Sequence, residues 1–295
     1  MGPSPKFSIV IPTYNRADFI AKTINSILHQ SYELFEIIVV DDGSTDNTEE
    51  VVMAIEDPRL SYFKKANAER GAARNFGAKK SGGQYINFFD SDDLAYENHL
   101  SEAVRMIEIN QNPEIFHLGY DVKSPDSDLI RHVNNLPEEI NDQLITGNHL
   151  SCNGVFVRKD IALQYPFNED RELSASEDYE LWLRLASRFR IPISNEITST
   201  IIDHDSRSVV QINLERLLSR INLLKNYLFR DQHFRLKYER ELRTFSAYLD
   251  IYVALHLAMT KAHRLRTLKY LIGSVSKKPS LAVSRRFAAV IKNLL

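Results

Sequence analysis

The sequence predicts an α/β protein with a mainly parallel central sheet flanked by helices, followed by an all-helical C-terminal region. Three observations predict it: short apolar runs alternate with helix-period segments through the first half, a polar cluster follows three of those runs, and from about Ser206 onward the pattern is helical almost throughout. With 295 residues, 43% of them hydrophobic, the chain can bury a full core. Its length fits a larger domain at 1–206 and a smaller one at 207–295.

The first apolar run, 7–11, reads as a strand and ends in Pro12-Thr13-Tyr14-Asn15. A helical segment at 17–29 leads to the second run, 35–40, which ends in Asp41-Asp42-Gly43-Ser44. The next helix is expected near 45–55, capped by Ser44 or Thr45. A third run at 60–63, a helix at 70–80 and a fourth run at 85–89 follow, and the fourth ends in Asp90-Ser91-Asp92-Asp93. Ligands of such sheets bind beyond the carboxyl ends of the strands, where all three polar clusters fall. Later signals are weaker: a helix near 97–109, then strand-like pieces at 115–122, 153–157 and 197–202. The segment 177–188 is clearer, because Tyr179, Leu181, Trp182, Leu185 and Ala186 share one helical face.

Three carboxylates in four residues, Asp90, Asp92 and Asp93, repel one another unless a cation or the hydrogen bonds of a ligand offset the repulsion. Hard oxygen ligands suit Mg²⁺ or Mn²⁺ carrying a phosphate-rich substrate. The other clusters each allow two readings. Asp41 and Asp42 fit a capped turn near a helix N-terminus, or a carboxylate accepting a hydrogen bond from a nucleotide base. Arg70 and Arg74 fit an exposed helix face, or a bidentate grip on pyrophosphate. Ser174 or Ser176 caps a helix with Glu177 and Asp178 in its first turn, and a carboxylate there can serve as general base if the helix reaches the edge of the sheet. His204 is a satisfied residue, or a contact to metal or phosphate.

Taken together these residues resemble the family 2 glycosyltransferases, which have the GT-A nucleotide-sugar-binding fold. The resemblance runs in order through Val10-Ile11-Pro12-Thr13-Tyr14-Asn15, Val40 to Asp46, Ala73-Arg74-Asn75 with Gly77, Asp90 to Asp93, Glu177 to Arg184, and His204 with Ser208. It implies that Pro12, Thr13 and Tyr14 line the nucleotide pocket, that Asp42 with Asp41 reads the base, usually uracil, and that Arg74 lies near the pyrophosphate. Asp90-Ser91-Asp92 looks like the family's Asp-x-Asp motif, with Asp92 the main metal ligand and Asp90 at the ribose or a metal-bound water. His204 would be a further metal or phosphate contact. Asp178 looks like the catalytic base and Glu177 its companion. The activity implied is transfer of one sugar, with inversion, from a nucleotide-sugar donor, a UDP-sugar above all, to a saccharide or lipid-linked acceptor in cell-surface glycan synthesis. The processive synthases' Gln-x-x-Arg-Trp motif and transmembrane helices are missing from the sequence. The rival reading is a non-catalytic nucleotide-sugar-binding or assembly subunit.

Composition narrows the alternatives. One cysteine, Cys152, excludes an internal disulfide framework, and no Gly-x-Gly-x-x-Gly follows the first strand, which argues against a dinucleotide enzyme. With no signal-like start and no long apolar run, a cytoplasmic protein is expected. The net charge of −2 conceals a division: residues 1–206 hold 19 Lys+Arg against 34 Asp+Glu, whereas 207–295 hold 18 against 5, with no acid after Asp250. The basic end reads as a surface for anionic membrane at the inner face, as an acceptor contact or as a homo-oligomer interface, and it has no aromatic-basic platform for nucleic acid. Val283, Phe287, Val290, Ile291 and Leu294 fall at helical spacing there, and serve either a membrane or a packed neighbour.

Overall fold

A computed structural model describes residues 6–204, 214–260 and 263–294. The expected boundary near Ser206, with Asp205 and Ser208, lies outside the described residues, as does Lys261. The chain forms two compact units. The first comprises residues up to Ile140, Leu150–Leu181 and Phe189–Arg207.

In the first unit, β1 (Phe7–Thr13) is flanked by β2 (Phe35–Asp41) and β4 (Tyr85–Phe88), and β3 (Leu60–Lys64) lies outside β2, all parallel. Every residue of β1 is buried, which is why the run is continuously apolar rather than alternating. Thr13 pairs with Asp41 in register, so both polar clusters leave the sheet at one edge. Helices α1 (Ala17–Leu28), α2 (Thr48–Met53) and α3 (Glu69–Lys80) make the connections. Beyond β4 the sheet becomes mixed, because β8 (Val155–Arg158) joins β4 antiparallel and β6 (Ile115–Lys123) joins β8 antiparallel. The long strand β9 (Ile193–Ile202) then pairs parallel with β6, and the two-residue β5 (Leu94–Ala95) closes that end antiparallel to β9. An exposed β7 (Leu129–Val133) hangs on β6, and α4 (His99–Ile109), α5 (Lys159–Gln164) and the first part of α6 (Glu177–Ala186), up to Leu181, complete the elements.

Small residues let α3 lie close to the sheet: a Cβ on Gly77 would stand 2.3 Å from Val10 Cγ1. On the other face Phe7, Phe116 and Phe156 anchor a core that also takes in Ile20, Ile24 and Leu100, and the Phe116 and Phe156 rings stack at 5.1 Å. Burying each such side chain contributes about 1.5–3 kcal/mol.

The second unit comprises Asn141–His149, Trp182–Arg188 and the region from Ser208 onward. Its described helices are α7 (Leu214–Arg230), α8 (Gln232–Lys237), α9 (Leu242–Met259), α10 (Arg264–Lys277) and α11 (Arg285–Leu294). Ala247, Ile251, Ala254 and Ala258 of α9 form a core with Leu271, Leu281 and Val290, against which Phe287, Ile291 and Leu294 pack. The four residues of the expected stripe that lie on α11 are therefore packed against a neighbour, and the fifth, Val283, precedes the helix and is exposed. No helix among the described residues is long and apolar enough to cross a membrane.

Candidate active site

The loops after β1 and β2 are stitched together by side chains rather than by a ladder. Asn15, held at a positive φ of 51°, donates its N–H to Ser44 Oγ at 2.9 Å and accepts the Thr45 N–H on Oδ1 at 2.9 Å. The Arg16 N–H goes to Thr48 Oγ1 at 3.0 Å, and that of Ala17 to Asp46 Oδ2 at 3.2 Å. Ser44 thus serves the first loop instead of capping the helix, which starts later, at Thr48. Pro12 and Thr13 are buried beneath this seam and Tyr14 is exposed above it. Thr13 Oγ1 has no hydrogen-bond partner among the described residues.

The two aspartates at the end of β2 differ. Asp41 is fully buried, accepting the Ser44 N–H at 2.7 Å on one oxygen and the Tyr62 hydroxyl at 2.6 Å on the other. Burial and that hydrogen bond push the Tyr62 phenol far up. Asp42 takes an ion pair from Lys65 at 2.5 Å and the Ala68 N–H at 2.9 Å.

Past β4 the acidic run divides by residue. Asp93 is buried and structural: its carboxylate receives Asn153 Nδ2 at 2.8 Å and the Ile202 N–H at 2.9 Å, tying the loop to the end of β9. Asn153 also accepts the Asp90 N–H at 2.8 Å, while its own carbonyl accepts Asn87 Nδ2 at 2.8 Å. Ser91 is buried beside them. Asp92 meets His204, with Nε2 at 3.3 Å from Oδ2, and the same oxygen lies 3.3 Å from Arg16 Nε. Phe19 stacks on the His204 ring at 4.6 Å. Asp90 turns to Arg74 instead, at 2.8 Å from Nη2.

Arg74 is an internal brace. Its side chain is buried, with Nη1 on Glu177 Oε1 at 2.9 Å and Nη2 on Asp90, so it links α3, the acidic loop and α6. Arg70, with more of its surface exposed, lies 3.6 Å from the same Glu177 oxygen. Asp178 follows Glu177 at the start of α6 and accepts the Tyr179 N–H at 2.7 Å. It keeps a window to solvent, yet desolvation by its surroundings and the charge of Glu177 raise its carboxyl to about 6, against the pull of Arg74 and Arg70. A carboxyl at that value is ionised near neutral pH and still basic enough to take a proton. Cys152, buried close enough to feel Arg74, has its thiol pushed well up by burial.

The structure therefore brings together Asp92 with His204, and Asp90 with Arg74 and Glu177 beside Asp178. Among the described residues no cluster of three His, Cys, Asp or Glu side chains is arranged to hold a metal ion. Asp92 and His204 nevertheless fit a divalent cation whose remaining positions fall to phosphate oxygens and water, the usual habit of Mg²⁺. Sequence reasoning missed Asn153 and the pairing of Arg16 with Asp92; no motif marks either residue.

The model of the family described as Glycosyl transferase family 2 matches residues 8–160, just over half of the chain. The chain belongs to this family. A family relative from Rickettsia bellii, called a glycosyltransferase, is 32% identical over 70% of this chain, and the chain spans about a third of the length of the first curated relatives it matches. The Escherichia coli enzyme WfaP, a UDP-Glc:α-D-GlcNAc-diphosphoundecaprenol β-1,3-glucosyltransferase by name, is 29% identical over 77% of this chain and 88% of its own. Two solved structures share the fold. Staphylococcus aureus TarS in complex with UDP-GlcNAc has a TM-score of 0.61 at 19% identity, over 96% of this chain and 92% of that one. The Pyrobaculum calidifontis mannosyltransferase PcManGT, in complex with GDP-Man and Mn²⁺, has a TM-score of 0.62 at 16% identity, over 99% and 88%. The α/β architecture is thus that of the GT-A glycosyltransferases.

Proposed function

We propose that this family member transfers a single sugar, with inversion, from a UDP-sugar to a hydroxyl of a lipid-linked saccharide in cell-surface glycan synthesis. The observation that carries this reading is the Arg74 bridge, which sets the acidic loop after β4 beside a carboxyl raised to about 6 at the start of α6. Family membership and the substrates named for WfaP support the choice of donor and acceptor.

In this mechanism Asp178 accepts the proton of the acceptor hydroxyl as its oxygen attacks the anomeric carbon, opposite the departing nucleoside diphosphate. Glu177 is its companion and keeps Arg74 in place. Tyr14, exposed over Pro12 and Thr13, covers the nucleotide, Asp42 reads the base, and Arg70 meets the diphosphate. Ser91 and Asp90 line the ribose side. Asp92 and His204 would hold Mn²⁺ or Mg²⁺, which when bound neutralises charge on the diphosphate. Arg16 supplies positive charge at the same oxygen of Asp92.

The test is a panel of UDP- and GDP-sugars assayed for nucleoside diphosphate release with Mn²⁺ and a diphosphate-lipid GlcNAc acceptor. Metal-dependent release from a UDP-hexose, lost in Asp178→Asn while UDP binding persists, is the expected result. No turnover of any donor, with UDP binding intact, would instead favour a non-catalytic binding subunit.

A further inference from the structure

Among the described residues of the second unit, α10 presents an exposed apolar stripe. On α10, Leu265 is 84% exposed, Leu268 41% and Ile272 66%, whereas Thr267, Leu271 and Ser274 are buried. The three exposed residues stand at i, i+3 and i+7, so they form one stripe turned away from the buried side of the helix. Arg264 and Lys269 flank the stripe, both exposed and with no ion-pair partner among the described residues, while Arg266 pairs with Glu215 at 3.3 Å. From 251 onward the chain carries nine cations and no acid.

We propose that α10 lies on an anionic lipid bilayer, with Leu265, Leu268 and Ile272 entering the acyl boundary and Arg264 and Lys269 at the headgroups. Charge complementarity selects this occupant. A second copy laid face to face would set cations against cations, and three apolar side chains fall far short of the roughly 20–30 residues per side of a stable protein interface. An amphipathic helix with cations beside its apolar stripe binds by buried apolar area and by attraction to anionic lipid. The inference is independent of sugar transfer, since its readout needs no turnover.

The experiment is flotation of the 295-residue chain with vesicles of phosphatidylcholine alone or mixed with phosphatidylglycerol. Binding is expected to the anionic vesicles only and to fall as salt rises. The variant L265S/L268S/I272S should lose flotation, and R264E/K269E should bind about tenfold or more weakly, since each cation near such a surface is worth about 1 kcal/mol. Because all five side chains are exposed, an unchanged melting temperature shows that both variants fold. Equal flotation of parent and both variants would overturn the proposal. A parent that ignores vesicles but is dimeric in light scattering, and monomeric as the serine variant, would also overturn it and assign the stripe to a second copy.

Discussion

Asp178 shows how far one side chain depends on its neighbours. Its carboxyl is raised because the folded surroundings disfavour the charge, so the base-competent form is lost as pH falls through about 6. The kcat/KM for transfer should therefore climb with pH up to about 6 and level off above it, a limb that Glu177→Gln shifts to lower pH by removing a like charge. A pH–rate profile of both proteins checks this, and an unmoved limb would contradict the assignment. Asn153 is the second case. Asn153→Ala strips a partner from the buried Asp93 carboxylate and another from the Asp90 N–H, and each unmet group costs about 1–3 kcal/mol. Urea denaturation should show the loss, with UDP binding weakened as the loop slackens. The Asn153 contacts were not legible in the sequence, because Asn153 reaches Asp90 only after β8 is laid antiparallel beside β4, a pairing between segments about 70 residues apart that no local pattern encodes.

At the level of elements, legibility followed burial. The strands at Phe7–Thr13, Phe35–Asp41 and Tyr85–Phe88 are close to their expected bounds because each is an apolar run enclosed by helices. β7 escaped because Leu129–Val133 is largely exposed and carries Arg131 and His132, and β5 because two residues are too few to show a period. The helix at Glu177–Ala186 was readable from its apolar face, whereas its place at the acidic loop follows from Arg74. Gly77 has a similar double character: it belongs to a motif, yet its reason is packing. Gly77→Ala should destabilise by about 1–3 kcal/mol through overpacking against Val10, despite alanine's better helix propensity. Val10→Ala in the same background should recover part of the loss, measurable by a double-mutant cycle in thermal melts.

For the molecule as a whole, the acidic and basic halves read from composition have different structural settings. Acids in the first unit gather at the sheet edge and are answered internally by Arg16, Lys65 and Arg74. Several cations of the second unit have no acid to answer them within their own stretch of chain. If the first unit holds the donor, UDP with Mn²⁺ at about one hundred times the dissociation constant should add about 2.7 kcal/mol to its stability, raising the melting temperature, whereas UDP with EDTA should add much less. Differential scanning fluorimetry reads this directly, and equal shifts in the two conditions would argue against the Asp92 and His204 pair as cation ligands.

The matched family segment ends at residue 160, but the groups meeting Arg74 and Asp92 include Glu177 and His204. Anyone grafting specificity between relatives should place the splice after 204. A junction at the edge of the recognisable segment would pair one parent's acidic loop with the other's Glu177 and Asp178, and leave a buried guanidinium facing a carboxylate it did not evolve beside.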